Sequence, residues 1–146
     1  MNTLITNFTW KRIFTFIIIV SIFSLANNAV AQDDPLSFSS DTQGANEILL
    51  SFTDNAAGDN IMIAFSTSAT FGTPIDLSSY SVSDPIVGGG TVIYNGAESG
   101  GTYSHTGLTA NTTYYYKAWS VDGNPNYSAG ITTNSTTAKY EPTYHV

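Results

Sequence analysis

Hydrophobic and polar residues alternate along most of the chain after Gln32, and a period of two is the pattern of β-strands. In the clearest segment, Ile48, Leu50 and Phe52 share one face. Segments with this pattern run over 36–38, 47–54, 61–68, 91–96, 101–108, 112–121 and 127–137. None of the chain after Gln32 keeps a helical period over two turns. The pattern therefore predicts an all-β protein, an antiparallel β-sandwich of about seven strands.

Turn-forming residues separate these segments. NAAGDN at 55–60 and DGNPN at 122–126 are rich in Asn, Asp and Gly, which supply the backbone angles that turns require. The stretch 70–90 is less regular and contains prolines, which strands tolerate only at sheet edges. We expect loops with weak edge-strand segments there, and we interpret the three glycines at 88–90 as a flexible turn.

The first 31 residues have the pattern of an export signal. Lys11 and Arg12 precede an apolar run from Ile13 to Ala26, and an A-x-A cleavage pattern ends at Ala31. The run is shorter than the roughly 17 to 25 residues that span a bilayer, although a retained anchor is the alternative. The predicted organisation is a signal peptide at 1–31, a β-sandwich at 32–137 and a tail at 138–146. We expect a secreted or cell-surface protein.

Removal of the leader makes the remaining chain strongly acidic. Two lysines and eleven carboxylates remain, which gives a net charge of −9. Such a surface disfavours nucleic acid and anionic membranes, since both require basic groups. The chain has no cysteine, so disulfides and thiolate metal sites are excluded. An exported protein without cysteine fits a bacterial source better than a eukaryotic one.

The stretch GLTANTTYYYKAWSV at 107–121 resembles the sixth strand of fibronectin type III domains. In that family a leucine precedes the strand and a tyrosine near its start bonds back to the upstream backbone, an arrangement called the tyrosine corner. The resemblance assigns these roles to Leu108 and Tyr114. It covers 36–137 and implies an immunoglobulin-like sandwich. Phe52 stands where the family usually has tryptophan, and the glycine-rich middle is longer than usual.

More narrowly, the segments 54–72 and 105–123 are similar to modules in large secreted or cell-surface proteins of Bacteroidetes-type bacteria. Those modules accompany enzymes or adhesive parts and are not themselves known to be catalytic. The resemblance implies that this chain is either a stand-alone relative or a piece of a longer protein.

Catalytic groups are scarce in this sequence. His105 lies in a predicted strand and His145 is next to last, and no G-x-S-x-G motif is present. We interpret His105 as a surface residue. Glu47, Glu98 and Glu141 have no evident cleft in which two carboxylates could cooperate in glycoside hydrolysis. We therefore expect a protein that is not an enzyme and that uses no cofactor.

Two turns carry oxygen-bearing side chains of the kind that Ca²⁺ prefers. Asp54 and Asp59 belong to the first turn, and Asp122 opens the second. The spacing does not match an EF-hand, and Asp and Asn are common in any hairpin turn. These residues are candidates for a weak calcium site, with an ordinary turn as the alternative.

The tyrosine-rich strand raises the question of a binding face. With Tyr114 and Tyr116 inward, alternation turns Tyr115, Lys117 and Trp119 outward. Met62 of the neighbouring strand would share that face. One hypothesis is an exposed aromatic patch at Tyr115, Trp119 and Met62 that binds a sugar or a protein. The alternative is that a loop or a neighbouring domain covers these rings, or that they are cross-strand pairs.

These patterns predict a non-catalytic extracellular or cell-surface module that acts as a spacer or in protein interactions. A carbohydrate- or surface-binding adhesion module that uses the aromatic face is the alternative. An accessory fragment of a secreted hydrolase is the third class. The expected partners are proteins or glycans at the cell surface, without nucleic acid and without membrane contact after signal cleavage.

Overall fold

The computed structural model describes residues 31–97 and 100–141, so the predicted leader lies outside the described residues except for Ala31. The part from Ala31 onward forms one compact unit. Seven strands make up its regular structure: β1 (Ser37–Thr42), β2 (Glu47–Thr53), β3 (Asn60–Ser66), β4 (Thr91–Gly96), β5 (Gly101–Thr106), β6 (Thr113–Val121) and β7 (Ile131–Thr136). Helix is absent from the described ranges.

The strands form two antiparallel sheets. One has three strands in the order β1-β2-β5, and the other has four in the order β4-β3-β6-β7. The prediction of an all-β antiparallel sandwich with about seven strands is confirmed. The pairing of β3 with β6 is also as expected, with Ile63 opposite Ala118 and Met62 opposite Trp119.

The main core lies between the two sheets and follows from the alternation. Ile48 and Leu50 of β2 are fully buried, and they belong to one cluster with Tyr116 and Ala118 of β6. Phe52 is buried in the same cluster, and its ring contacts Tyr94 of β4 with centroids 5.1 Å apart. The inward-facing residues predicted from the alternation are therefore confirmed, because successive residues of a strand point to opposite faces.

A second core lies on the outer face of the four-stranded sheet. The connection between β3 and β4, residues 67–90, supplies Ile86 and Phe71 to this cluster. The cluster's buried strand residues are Met62, Ala64, Val92, Trp119 and Val121. Burial of apolar side chains contributes roughly 25 cal/mol per Å² of surface removed from water, so this connection is part of the folded core. We refer to residues 67–90 as the covering connection.

Backbone hydrogen bonds give the covering connection a defined shape. The Gly72 amide donates to the Gly89 carbonyl at 2.9 Å, and the Gly89 amide donates to Ile86 at 3.0 Å. Gly89 has a φ of 132°, and a Cβ there would lie 2.6 Å from the Thr70 carbonyl oxygen. The three glycines at 88–90 thus allow a close, left-handed path. The predicted turn at this place is confirmed, since the Gly89 amide closes it by donating to Ile86, and its flexibility stays a prediction. An isolated bridge between Pro85 and Thr91 is the only edge-strand pairing within this stretch.

The segment that follows β7 is attached to the sandwich through Thr137 and Ala138. Thr137 is buried, and its hydroxyl donates to the Thr109 carbonyl at 2.6 Å. Ala138, the first residue of the predicted tail, donates its amide to Gly44 at 2.9 Å. Within the described ranges, no helix is long and apolar enough to cross a membrane.

Candidate functional site

The tyrosine corner lies between β5 and β6. The Tyr114 hydroxyl accepts a hydrogen bond from the Thr109 amide at 3.0 Å, which is the upstream backbone contact that the resemblance implied. Leu108 is buried in the main core beside Tyr114. Asn111 completes the turn with a φ of 52°, a conformation that Asn adopts more readily than most residues. The two residues therefore have a structural role in joining the sheets.

The hypothesis of an exposed aromatic face is wrong for two of its three residues. Trp119 and Met62 do point to the outer face of the sheet, but both have 0% of their surface exposed. The covering connection lies over them and buries them in the second core. This is the alternative in which a loop covers the rings. Neither residue can contact a ligand while the connection is in place.

Trp119 has neighbours on several sides. The Phe71 ring meets it edge-on with centroids 6.3 Å apart. The Lys117 ammonium lies 5.2 Å from the indole centroid, a cation–π geometry. Gly130 lies so close that a Cβ there would be 2.7 Å from Trp119 Cδ1. The indole is thus a fixed part of the second core. The covering connection packs against it and requires a side chain of this size.

Tyr115 is the one member of the predicted face that remains partly exposed. It lines a small open recess on the outer face of the sheet with a cavity volume of about 210 Å³. The recess is bounded by the start of the covering connection on one side and by β7 on the other. Its lining residues are Ala69, Phe71, Tyr115, Thr132, Thr133 and Asn134. We refer to it as the Tyr115 recess.

His105 differs from its interpretation as a surface residue. Its ring is half-buried, packs edge-on against Phe65 with centroids 4.6 Å apart, and places Nδ1 3.1 Å from the Tyr116 hydroxyl. Burial lowers the pKa of His105 and raises the pKa of Tyr116. Both groups are therefore neutral at pH 7, and their hydrogen bond connects the two sheets.

The first acidic turn is organised around Asn55. The Asn55 Oδ1 accepts from the amides of Ala57 and Asp59 at 3.1 and 3.2 Å, and its Nδ2 donates to Asp59 Oδ2 at 2.8 Å. Gln32 also donates to Asp59. Asp54 Oδ2 lies near Gly58 in the same turn. The candidate calcium ligands Asp54 and Asp59 thus belong to a turn that is held by protein hydrogen bonds.

The second acidic turn has the same character. Asp122 Oδ1 accepts from the amides of Asn124 and Asn126 at 2.9 and 2.8 Å, and Oδ2 accepts from the Asn126 side chain. The hydrogen bonds from Asn126 hold the pKa of Asp122 below its usual value. Among the described residues, no group of three or more His, Cys, Asp or Glu side chains is placed to hold a metal ion.

Comparison with solved structures places the fold among fibronectin type III domains. A Fn3-like protein from Clostridium thermocellum superposes with a TM-score of 0.53 and 18% identity, covering 77% of this chain and 99% of that one. The fn3 domain of the human collagen alpha-1(XX) chain gives 0.53 and 12%, covering 82% and 97%. A structure described as FN3tt gives 0.51 and 16%, covering 73% and 96%. The sequence matches no protein-family model and no curated protein. The likeness therefore establishes the fibronectin type III fold.

Of the six residues that line the recess, sequence reasoning identified only Tyr115 and missed the other five, among them Phe71, Thr132 and Asn134. The signal for Phe71 was present in the covering connection, where apolar side chains stand among glycines and prolines. Large apolar residues in a long loop indicate packing onto the fold, because a solvated loop gains nothing from them. Thr132 and Asn134 are exposed residues of β7. They line a recess only because Phe71 of the covering connection lines it too, so no local sequence pattern predicts them.

Proposed function

We propose that this protein is a non-catalytic fibronectin type III module that is exported and acts as a spacer or interaction domain in an extracellular or cell-surface setting. The observation that carries the proposal is the closed architecture. Both faces of the four-stranded sheet are packed, one against β2 and β5 and the other under the covering connection. A domain that fills its own sheet faces holds its shape without a partner, as a spacer must.

The amino-terminal pattern supports export. A positive segment, an apolar run and an A-x-A pattern precede the sandwich, and the chain after Ala31 contains both clusters of the core. The acidic balance of the remaining chain supports a soluble domain outside the cell rather than a partner of nucleic acid. The similarity of 105–123 to modules of Bacteroidetes-type surface proteins supports a bacterial setting for the same role.

Export can be tested with the full chain carrying a carboxyl-terminal epitope in a bacterial host. We expect the mature protein to begin at Gln32 by amino-terminal sequencing and to be recovered outside the cytoplasm. Replacing Ala29 and Ala31 together by arginine removes the cleavage pattern and leaves the sandwich unchanged, so this variant should remain uncleaved. An unprocessed cytoplasmic protein that behaves identically with and without the two replacements would contradict the proposal.

The spacer role is tested with the same secreted protein. We expect a monomer that unfolds in one cooperative step and hydrolyses neither glycosides nor peptides. Detection of hydrolysis that co-purifies with the wild-type chain, and that disappears in a His105→Gln variant, would contradict the non-catalytic assignment.

A further inference from the structure

The Tyr115 recess has the chemistry of a small neutral binding site. Two partly exposed aromatic residues, Phe71 and Tyr115, line it together with Thr132 and Asn134, whose side chains carry a hydroxyl and a carboxamide. Threonine and asparagine side chains each supply both donors and acceptors. None of the six lining residues carries a charge. Ligand sites typically combine apolar walls with a few polar groups that fix orientation, and the recess has this combination.

The two aromatic residues of the recess are restrained by packing and by strand pairing. Phe71 is held by its edge contact with Trp119 and by Gly90, where a Cβ would lie 3.0 Å from the phenyl ring. Tyr115 lies on β6, an interior strand of the four-stranded sheet, opposite Ser66 on β3 and Asn134 on β7. Rigid walls reduce the ordering cost of binding, so a shallow site can retain useful affinity.

The dimensions restrict the occupant. The recess of about 210 Å³ is smaller than the roughly 300 to 1,000 Å³ of pockets that enclose drug-sized molecules. It is open to solvent, so a longer ligand could continue beyond it. The site is therefore sized for one ring of an extended molecule.

We propose that the Tyr115 recess binds one pyranose ring of a neutral glycan chain. The C–H face of such a ring packs on aromatic side chains, and its hydroxyls both donate to and accept from Asn134 and Thr132. Anionic glycans are disfavoured because the chain after Ala31 carries a net charge of −9. The Lys117 ammonium lies 5.2 Å from the Trp119 ring centroid, and it is one of two lysines against eleven carboxylates in the chain after Ala31.

This inference deepens the proposed interaction role and rests on it only for the biological setting. The sandwich beginning at Gln32 contains all seven strands and both clusters of the core, so binding can be measured on that chain whether or not export is established. Failure of export and failure of binding are consequently separate results.

The test is a nuclear magnetic resonance titration of the ¹⁵N-labelled chain from Gln32. The probes are neutral pentasaccharides of glucose, mannose, xylose and N-acetylglucosamine, with an oligogalacturonate as the anionic control. We expect at least one neutral probe to shift the amide signals of Tyr115, Thr132 and Asn134, with a dissociation constant on the order of 1 mM or below. The anionic control should shift none of them.

Three variants separate binding from folding. Tyr115→Ser should weaken binding by about tenfold or more, while Tyr115→Phe, which keeps the ring, should retain most of the affinity. Asn134→Ala changes an exposed side chain and should also weaken binding. Tyr140→Ser is the matched control, since Tyr140 is 73% exposed and does not line the recess. Well-dispersed spectra establish that each variant is folded.

The proposal is overturned if no neutral probe moves the recess signals. It is equally overturned if the shifts map to another surface, or if Tyr140→Ser weakens binding as much as Tyr115→Ser does. Stronger binding of the oligogalacturonate than of every neutral probe would reject the neutral ligand class.

Discussion

Trp119 provides the sharpest test of how the outer sheet face is used. An exposed binding residue can be removed with little effect on stability, whereas a core residue cannot. Trp119 is fully buried beneath the covering connection, and it contacts Phe71 edge-on. We therefore expect Trp119→Ser to destabilise the domain strongly and to loosen the connection above it.

The magnitude follows from burial. Truncation of a buried Phe or Trp to Ala costs about 3–5 kcal/mol. The Phe71 ring contact adds about 0.5–1.5 kcal/mol beyond area burial, so we expect a loss of at least about 3 kcal/mol. For a domain of this size, 1 kcal/mol corresponds to roughly 4–8 °C, and Tm should fall by at least about 12 °C.

The assay is thermal and urea unfolding of the chain from Gln32, followed by circular dichroism because the variant lacks its tryptophan signal. Tyr115→Ser is the matched control on the same strand, and its partly exposed side chain should cost only about 1 kcal/mol. Trp119→Phe should fall between the two. Equal, small losses for Trp119→Ser and Tyr115→Ser would refute the reasoning, since that result requires both rings to be on the surface.

Three further predictions concern buried polar groups. Because burial lowers the pKa of His105, the unfolded chain binds the proton first as the pH falls, so stability should decrease below the ordinary value of 6.5. This slope of Tm against pH should be present in wild type and lost in His105→Gln. Asn55→Ala should cost about 2–4 kcal/mol in urea unfolding, because its side chain makes three hydrogen bonds within the first acidic turn and a fourth to the Asp33 carbonyl. Millimolar Ca²⁺ should leave the wild-type Tm at its value in chelator, and a rise in Tm with Ca²⁺ would support a calcium site instead. The Ser120 hydroxyl is buried without a hydrogen-bond partner in the described part of the chain, so Ser120→Ala should be neutral or stabilising by up to about 1 kcal/mol. The nearby Ser128→Ala, which removes the acceptor of the Ser120 amide at 3.0 Å, should instead destabilise.

The strands and their inward faces were predictable because they depend on local alternation. Ile48 and Leu50 face the core as the pattern required, and Tyr116 does so on β6. The corner at Tyr114 followed from a resemblance in spacing rather than from periodicity. Both features are fixed by residues that are close together in sequence.

Exposure of the outer face was not predictable from the strand alone. Alternation correctly predicted that Trp119 points away from the main core. Whether the outer face of the sheet is exposed to water depends on the covering connection. The position of that connection depends on contacts of Phe71 and Ile86 with strands that are far away in sequence. The interpretation of His105 as a surface residue was wrong for a related reason. Its burial depends on the aromatic residues of β6 and on Phe65 across the sandwich.

The central claim is that the covering connection makes the outer sheet face part of the core. The chain from Gln32 contains a single tryptophan, Trp119, so its intrinsic fluorescence reports on this claim directly. We predict an emission maximum that is blue-shifted relative to the unfolded chain and strong protection from acrylamide quenching, both lost together on unfolding in guanidinium. An emission maximum and a quenching constant that match the unfolded chain under native conditions would contradict the account.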